Sequence, residues 1–196
     1  MISNVKIKVA VSALLVLMLT GCAHPIVISP TRSIQNVDMA LIKKNVAYVM
    51  TDADRNKQVE TGGGGGDKVT YFPYRDLEKA IRDALRSIYA DVYVIKSQND
   101  IEDINAKDIS YIFTPEISTS SSSDSLFTWP PTSFSIEMAC NVLDASGNII
   151  ARLRVVSNGS ANFSEFKTDF GLSGRRAADI LSEKFSIEVK NNAKLR

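Results

Sequence analysis

Histidine, cysteine and tryptophan are scarce in this chain of 196 residues: one His, two Cys and one Trp. Neither sign of charge dominates, since 23 Lys and Arg stand against 22 Asp and Glu for a formal charge of +1. Each scarcity excludes a class of chemistry. A Ser-His-Asp nucleophile system needs an imidazole beside its serine, and the single imidazole, His24, lies close to the N-terminus. A closed nitrogen and sulfur metal site cannot be built from one His and one free thiol. Near-neutrality removes the electrostatic reason to bind nucleic acid.

The five glycines at positions 62–66 lack what a phosphate cradle requires. A Walker loop needs Gly-Lys-Ser/Thr opening a helix, whereas Asp67-Lys68-Val69 follows here, and Pro73 intervenes before the helix that a dinucleotide fingerprint would need. A flexible surface loop is the expectation, and no cofactor is expected.

Long apolar stretches are also lacking, with one exception, Val9 to Leu19. At about 1.5 Å per residue this run reaches about 16 Å, too short for a hydrocarbon core of about 30 Å. Lys6 and Lys8 precede it without any acid, which is the order of a secretory signal. Leu19-Thr20-Gly21-Cys22 follows and resembles the bacterial lipobox, in which small residues admit the cleavage enzyme and the Cys thiol takes a diacylglycerol. Residues 1–21 are therefore expected to be a signal peptide and Cys22 the lipidated first residue of the mature chain. Cleavage removes 21 of the 196 residues, leaving 175, and takes Lys6 and Lys8 with it, so the formal charge moves from +1 to −1. Acyl chains contribute about 0.8 kcal/mol per buried methylene, enough with three chains for stable anchoring. Ala23, where the enterobacterial sorting rule would place Asp for inner-membrane retention, points to the periplasmic face of the outer membrane.

Beyond Cys22 the sequence divides into a tether, residues 22–44, and one domain, residues 45–192. The tether carries Pro25 and Pro30 and one candidate strand, Ile26-Val27-Ile28, that would lie against the domain. Strand formers at Val46–Met50 open the domain and run into the polar loop from Thr51 to Lys68. A helix begins at Pro73, with Leu77, Ala80, Ile81, Ala84, Leu85, Ile88 and Tyr89 on one stripe. Strands follow at Val92–Ile95, Ile109–Ile117, Phe134–Leu143 and Asn148–Val156, with one helical turn between Lys96 and Lys107. Pro115 calls for an edge or a bulge. Phe134, Ile136, Met138, Cys140 and Val142 alternate onto one apolar face, so Cys140 is expected to be a buried thiol. If Val142 pairs with Ile149, Glu137 stands opposite Arg154 on the wet face. Ser173 is expected to cap a last helix carrying Ala177, Ile180, Leu181, Phe185 and Val189 on its apolar side.

The fold class expected is α+β: two layers, a mainly antiparallel sheet of four to five strands, and two helices packed on one face. With the lipobox, this order of elements resembles the small envelope lipoproteins of the YajG type and the auxiliary lipoproteins of ABC transport systems, over residues 22–192. That resemblance implies an envelope component with a binding or scaffolding role. The function expected is a lipid-anchored, non-enzymatic accessory to transport or assembly, with the membrane and an envelope protein or lipid as partners. A glycan or cell-wall hydrolase is the alternative, but its paired carboxylates are not singled out, because Asp76, Asp83 and Glu137 all fall on faces expected to be solvated. The candidate partner site lies in the loop from Ser118 to Pro131, where Phe127, Trp129, Pro130 and Pro131 combine contact area with little ordering entropy. In the other reading of this loop, Phe127 and Trp129 fold back over the sheet's open face or cap the core's rim.

Overall fold

The computed structural model describes residues 23–34, 40–124, 129–165 and 168–196. The expected signal peptide, Cys22 and Phe127 lie outside these residues. Two strands open the described chain: β1, His24–Pro25, and β2, Ile42–Val49. Then come α1 (Asp52–Arg55), the hairpin β3 (Val59–Gly62) and β4 (Lys68–Tyr71), and α2 (Pro73–Arg86). β5 (Tyr89–Ile95), α3 (Ile101–Ala106), β6 (Ile109–Ser122), β7 (Ser133–Asp144), β8 (Ile149–Ser160) and α4 (Leu172–Asn191) complete the chain, with a 3-10 turn at Ala193–Leu195.

The fold is α+β. Its main sheet has five strands in the order β5-β2-β6-β7-β8, and a smaller sheet has the order β1-β4-β3. The long β6-β7-β8 ladders are antiparallel, while β2 pairs in parallel with both β5 and β6. The parallel pairings follow from the crossovers: α2 carries the chain between β2 and β5, and α3 carries it between β5 and β6. α2 and α4 pack together, and α4 lies over β7 and β8. Val46, Tyr48, Phe113, Met138 and Val142 point into the core with Leu77, Leu85, Leu181 and Phe185. α3 covers part of the opposite face, where Ile104 joins Ala47, Ile95, Ile109, Ile112 and Leu143 in a second, smaller cluster. The sheet is therefore apolar on both faces across β5, β2 and β6 and on one face only at its β8 edge.

Several local expectations are revised. The stretch from Thr51 to Lys68 is not a plain loop: Thr51 caps α1 in a reciprocal capping box with Asp54, and β3 and β4 form a hairpin. The run of serines belongs to β6, which extends to Ser122 because β7 is long enough to pair with it from Tyr111↔Asp144 to Ser122↔Ser133. Pro115 sits inside this strand opposite Cys140, yet the ladder to β2 ends at Tyr48↔Phe113, so on that side Pro115 meets no strand that needs its missing N–H. α4 starts at Leu172 behind Gly171, and Ser173, instead of capping, is buried in the first turn and donates to the Pro131 carbonyl at 2.8 Å. An irregularity between Val142 and Leu143 shifts the β7-β8 register, so Leu143 rather than Val142 pairs with Ile149. Glu137 and Arg154 are then diagonal neighbours, and the Arg154 Nε still donates to Glu137 at 2.7 Å.

Candidate functional site

The segment expected to be a tether is docked along its described length. β1 lies parallel to β4, with His24 opposite Val69, and the Ile26 N–H donates to the Thr70 carbonyl at 2.9 Å. Ile26 and Ile28 are buried, Ile28 completely. The Ile28 N–H donates to Asp76 on α2 at 3.2 Å, while the Thr31 hydroxyl and the Arg32 N–H each donate to Asp179 on α4 at 2.9 Å. Asp76 is accordingly not on a solvated face: it is 4% exposed because residues 26–28 cover that flank of α2. Burial raises its carboxyl above the usual range, against the lowering effect of the Ile28 N–H and of Arg75. Two buried acids thus bind the start of the folded chain to both large helices.

The same segment meets the candidate partner loop. His24 stacks on Trp129 with ring centroids 4.1 Å apart and 22° between planes, and Trp129 meets Phe170 at 4.6 Å. His24 Nε2 also lies 3.8 Å from an Asp67 carboxylate oxygen. Trp129 is half-buried, whereas Pro130 and Pro131 are buried. Of the residues singled out in this loop, Trp129 alone is described as reaching the surface, and it does so as part of a ring cluster built from three distant segments.

The glycine run has its role here. Gly65 and Gly66 take positive φ values of 66° and 87° at the tip of the β3-β4 hairpin. Gly64 donates its N–H to the Trp129 carbonyl at 3.1 Å. A Cβ on Gly63 would lie 2.2 Å from that same carbonyl oxygen, a distance no side chain tolerates. On the other side of the cluster a Cβ on Gly171 would lie 2.3 Å from the Val27 carbonyl, to which Arg175 also donates at 2.8 Å. Glycine is needed at both places because another backbone passes there. A glycine run is legible in sequence, but the backbone it must accommodate is more than 60 residues away along the chain.

Elsewhere among the described residues, Cys140, Glu78 and Glu165 are engaged in structure. Cys140 is buried, and burial pushes its thiol up to about 12, far from the thiolate a nucleophile needs. Glu78 accepts two bonds from Arg55 and one from Tyr48, and the guanidinium holds its carboxyl below the usual range. Glu165, bound by Arg176, is lowered to about 2. A groove of about 540 Å³ where β6, β7 and β8 run side by side is lined by residues 120–122, 133–135 and 158–160, which offer hydroxyls, one amide and one phenyl ring but no ionisable side chain. Among the described residues no group of three or more His, Cys, Asp or Glu is placed to hold a metal ion, and no helix is long and apolar enough to cross a membrane.

No family model and no curated protein matches this chain. Solved structures similar to it include a Xanthomonas campestris protein of family DUF330, with a TM-score of 0.44 at 11% identity over 86% of this chain and 94% of that one. The PelC dodecamer from Paraburkholderia phytofirmans is similar with a TM-score of 0.42 at 11% identity, over 76% of this chain and 93% of that one. These likenesses are too distant to carry a functional conclusion, and the resemblance to the YajG-type and ABC auxiliary lipoproteins stays one of element order.

Proposed function

We propose that this protein is a lipid-anchored component of the bacterial envelope, exported by residues 1–21, acylated on Cys22 and held at the periplasmic face of the outer membrane. Its role there is non-enzymatic: binding or scaffolding for an envelope protein or lipid during transport or assembly. The single observation behind the anchor is Leu19-Thr20-Gly21-Cys22, placed directly after a signal-length apolar run and one residue ahead of a strand docked on the folded domain. The non-enzymatic role is supported by the uses of the buried and paired acids. Asp76 and Asp179 fasten the N-terminal segment, while Glu78 and Glu165 are held by guanidinium groups.

The reading is tested by metabolic labelling with palmitate in a Gram-negative host. The full chain should incorporate label and sediment with outer-membrane fractions, and Cys22→Ser should do neither. In an enterobacterial host Ala23→Asp should keep the label and move the protein to the inner membrane. A Cys22→Ser protein that still carries palmitate would remove the anchor from the proposal.

A further inference from the structure

The position of the anchor fixes which face meets the lipid. Cys22 is followed by Ala23 alone before His24, the first residue of β1. Two residues span at most about 7 Å of extended chain. The polar layer on each side of a bilayer is about 5–8 Å deep. A Cys22 held by its acyl chains at the boundary of the hydrocarbon therefore places His24 within or at the edge of the headgroup layer. No free linker remains to lift the domain clear, because residues 24–32 are bonded to β4, α2 and α4.

The surface around His24 suits that position. Trp129 stacks on it, and Phe170, which is 43% exposed, packs on Trp129. Val27, 51% exposed, lies beside Gly171, the residue after Phe170. Among the described neighbours, Lys68 is paired with Glu60 and Arg175 with Asp169, and the His24 ring lies 3.8 Å from Asp67. An aromatic and aliphatic patch with a polar, partly ion-paired rim is the composition that settles between headgroups and acyl chains, where tryptophan is enriched.

We infer that Val27, Trp129 and Phe170 rest in the interfacial layer of a phospholipid bilayer when Cys22 carries its lipid, so that the domain stands on the membrane in one orientation. This inference rests on the lipid anchor proposed above. It assigns the Trp129 surface to lipid and not to a protein partner, which must then approach from the faces turned away from the anchor.

Trp129 is the sole tryptophan and reports directly. The lipidated full chain is reconstituted into vesicles of phosphatidylethanolamine and phosphatidylglycerol that contain phospholipid spin-labelled either near the headgroup end or near the methyl end of the acyl chain. Trp emission should fall about twofold with the shallow label and much less with the deep one, and protection from aqueous iodide should appear only with vesicles. Val27→Ser/Phe170→Ser, substituting two exposed positions, should leave flotation with vesicles intact while shallow quenching drops. If the lipidated protein floats but Trp129 stays open to iodide and insensitive to both spin labels, the domain hangs free and the inference is overturned with the anchor intact. Protection from iodide without contact to either label overturns it in favour of contact with a second copy of the chain. A full chain that carries no acyl group fails the anchor reading itself, and the orientation falls with it.

Discussion

Asp179 and Glu78 show how single carboxylates set both the docking of the N-terminal segment and the response to acid. Asp179 receives the Thr31 hydroxyl and the Arg32 N–H. Asp179→Ala should cost on the order of 1–3 kcal/mol through these lost charge-assisted bonds. Its more specific signature is local: amide exchange at residues 28–32 should speed up more than exchange in β7, and uniform acceleration across the chain would show that Asp179 merely supports α4. Glu78 supplies a pH dependence. Its carboxyl is depressed in the folded chain by Arg55, so it adds stability that is complete above the unfolded value of about 4.3 and is lost as pH falls through the lower folded value. The unfolding midpoint should drop as pH falls from 5 towards 3, and the drop should be shallower in Glu78→Gln. Asp76 has the opposite sign. Burial raises its folded value, so protonation relieves a penalty as pH falls through that value, and Asp76→Asn should steepen the acid loss. Parallel pH curves for the parent and both variants would place the sensitivity elsewhere.

Among elements, α2 and β7 were the most legible in sequence. Pro73 and the stripe from Leu77 to Leu85 define α2, and strict alternation defines β7, because each pattern records a single local environment. Leu85→Ala and Met138→Ala, at fully buried positions, should each cost about 2–5 kcal/mol, whereas Arg82→Ala, at a half-buried position of α2, should cost under about 0.5 kcal/mol. Chemical denaturation of the three variants checks the contrast, and similar values for Arg82 and Leu85 would mean the helix is turned on its axis. What stayed hidden depends on segments far away along the chain. Asp76 lies where a polar flank would be solvated, and only the arrival of Ile28 from 48 residues upstream buries it. Serines 120–122 have no strand propensity to announce them, yet β7 supplies a ladder that their backbones join. The parallel pairing of β2 could not be read from either strand alone, because orientation is set by the length of the crossovers. The candidate site was legible only as an isolated Trp beside two prolines. Nothing local to Trp129 indicates His24 or Phe170, and the glycine run that accepts its carbonyl reads as flexibility until that carbonyl is in place.

For the molecule as a whole, the decisive question is whether residues 23–32 belong to the folded body or hang beside it. In the structure they add a strand to the smaller sheet, bury Ile26 and Ile28, and bridge α2 to α4 through two carboxylates. Burying each isoleucine contributes about 1.5–3 kcal/mol, so their removal should cost about 3–6 kcal/mol before the uncovered Asp76 regains water. A domain of this size shifts its midpoint by about 2–4 °C per kcal/mol. A chain starting at Ser33 should therefore melt roughly 6–24 °C below one starting at Ala23, both without lipid. Restoring residues 23–32 with Ile26→Ser and Ile28→Ser should recover little of the difference, because the apolar contacts are absent while the backbone is present. Equal melting temperatures for the two chains would identify the segment as a tether, and the domain would then swing freely from its anchor.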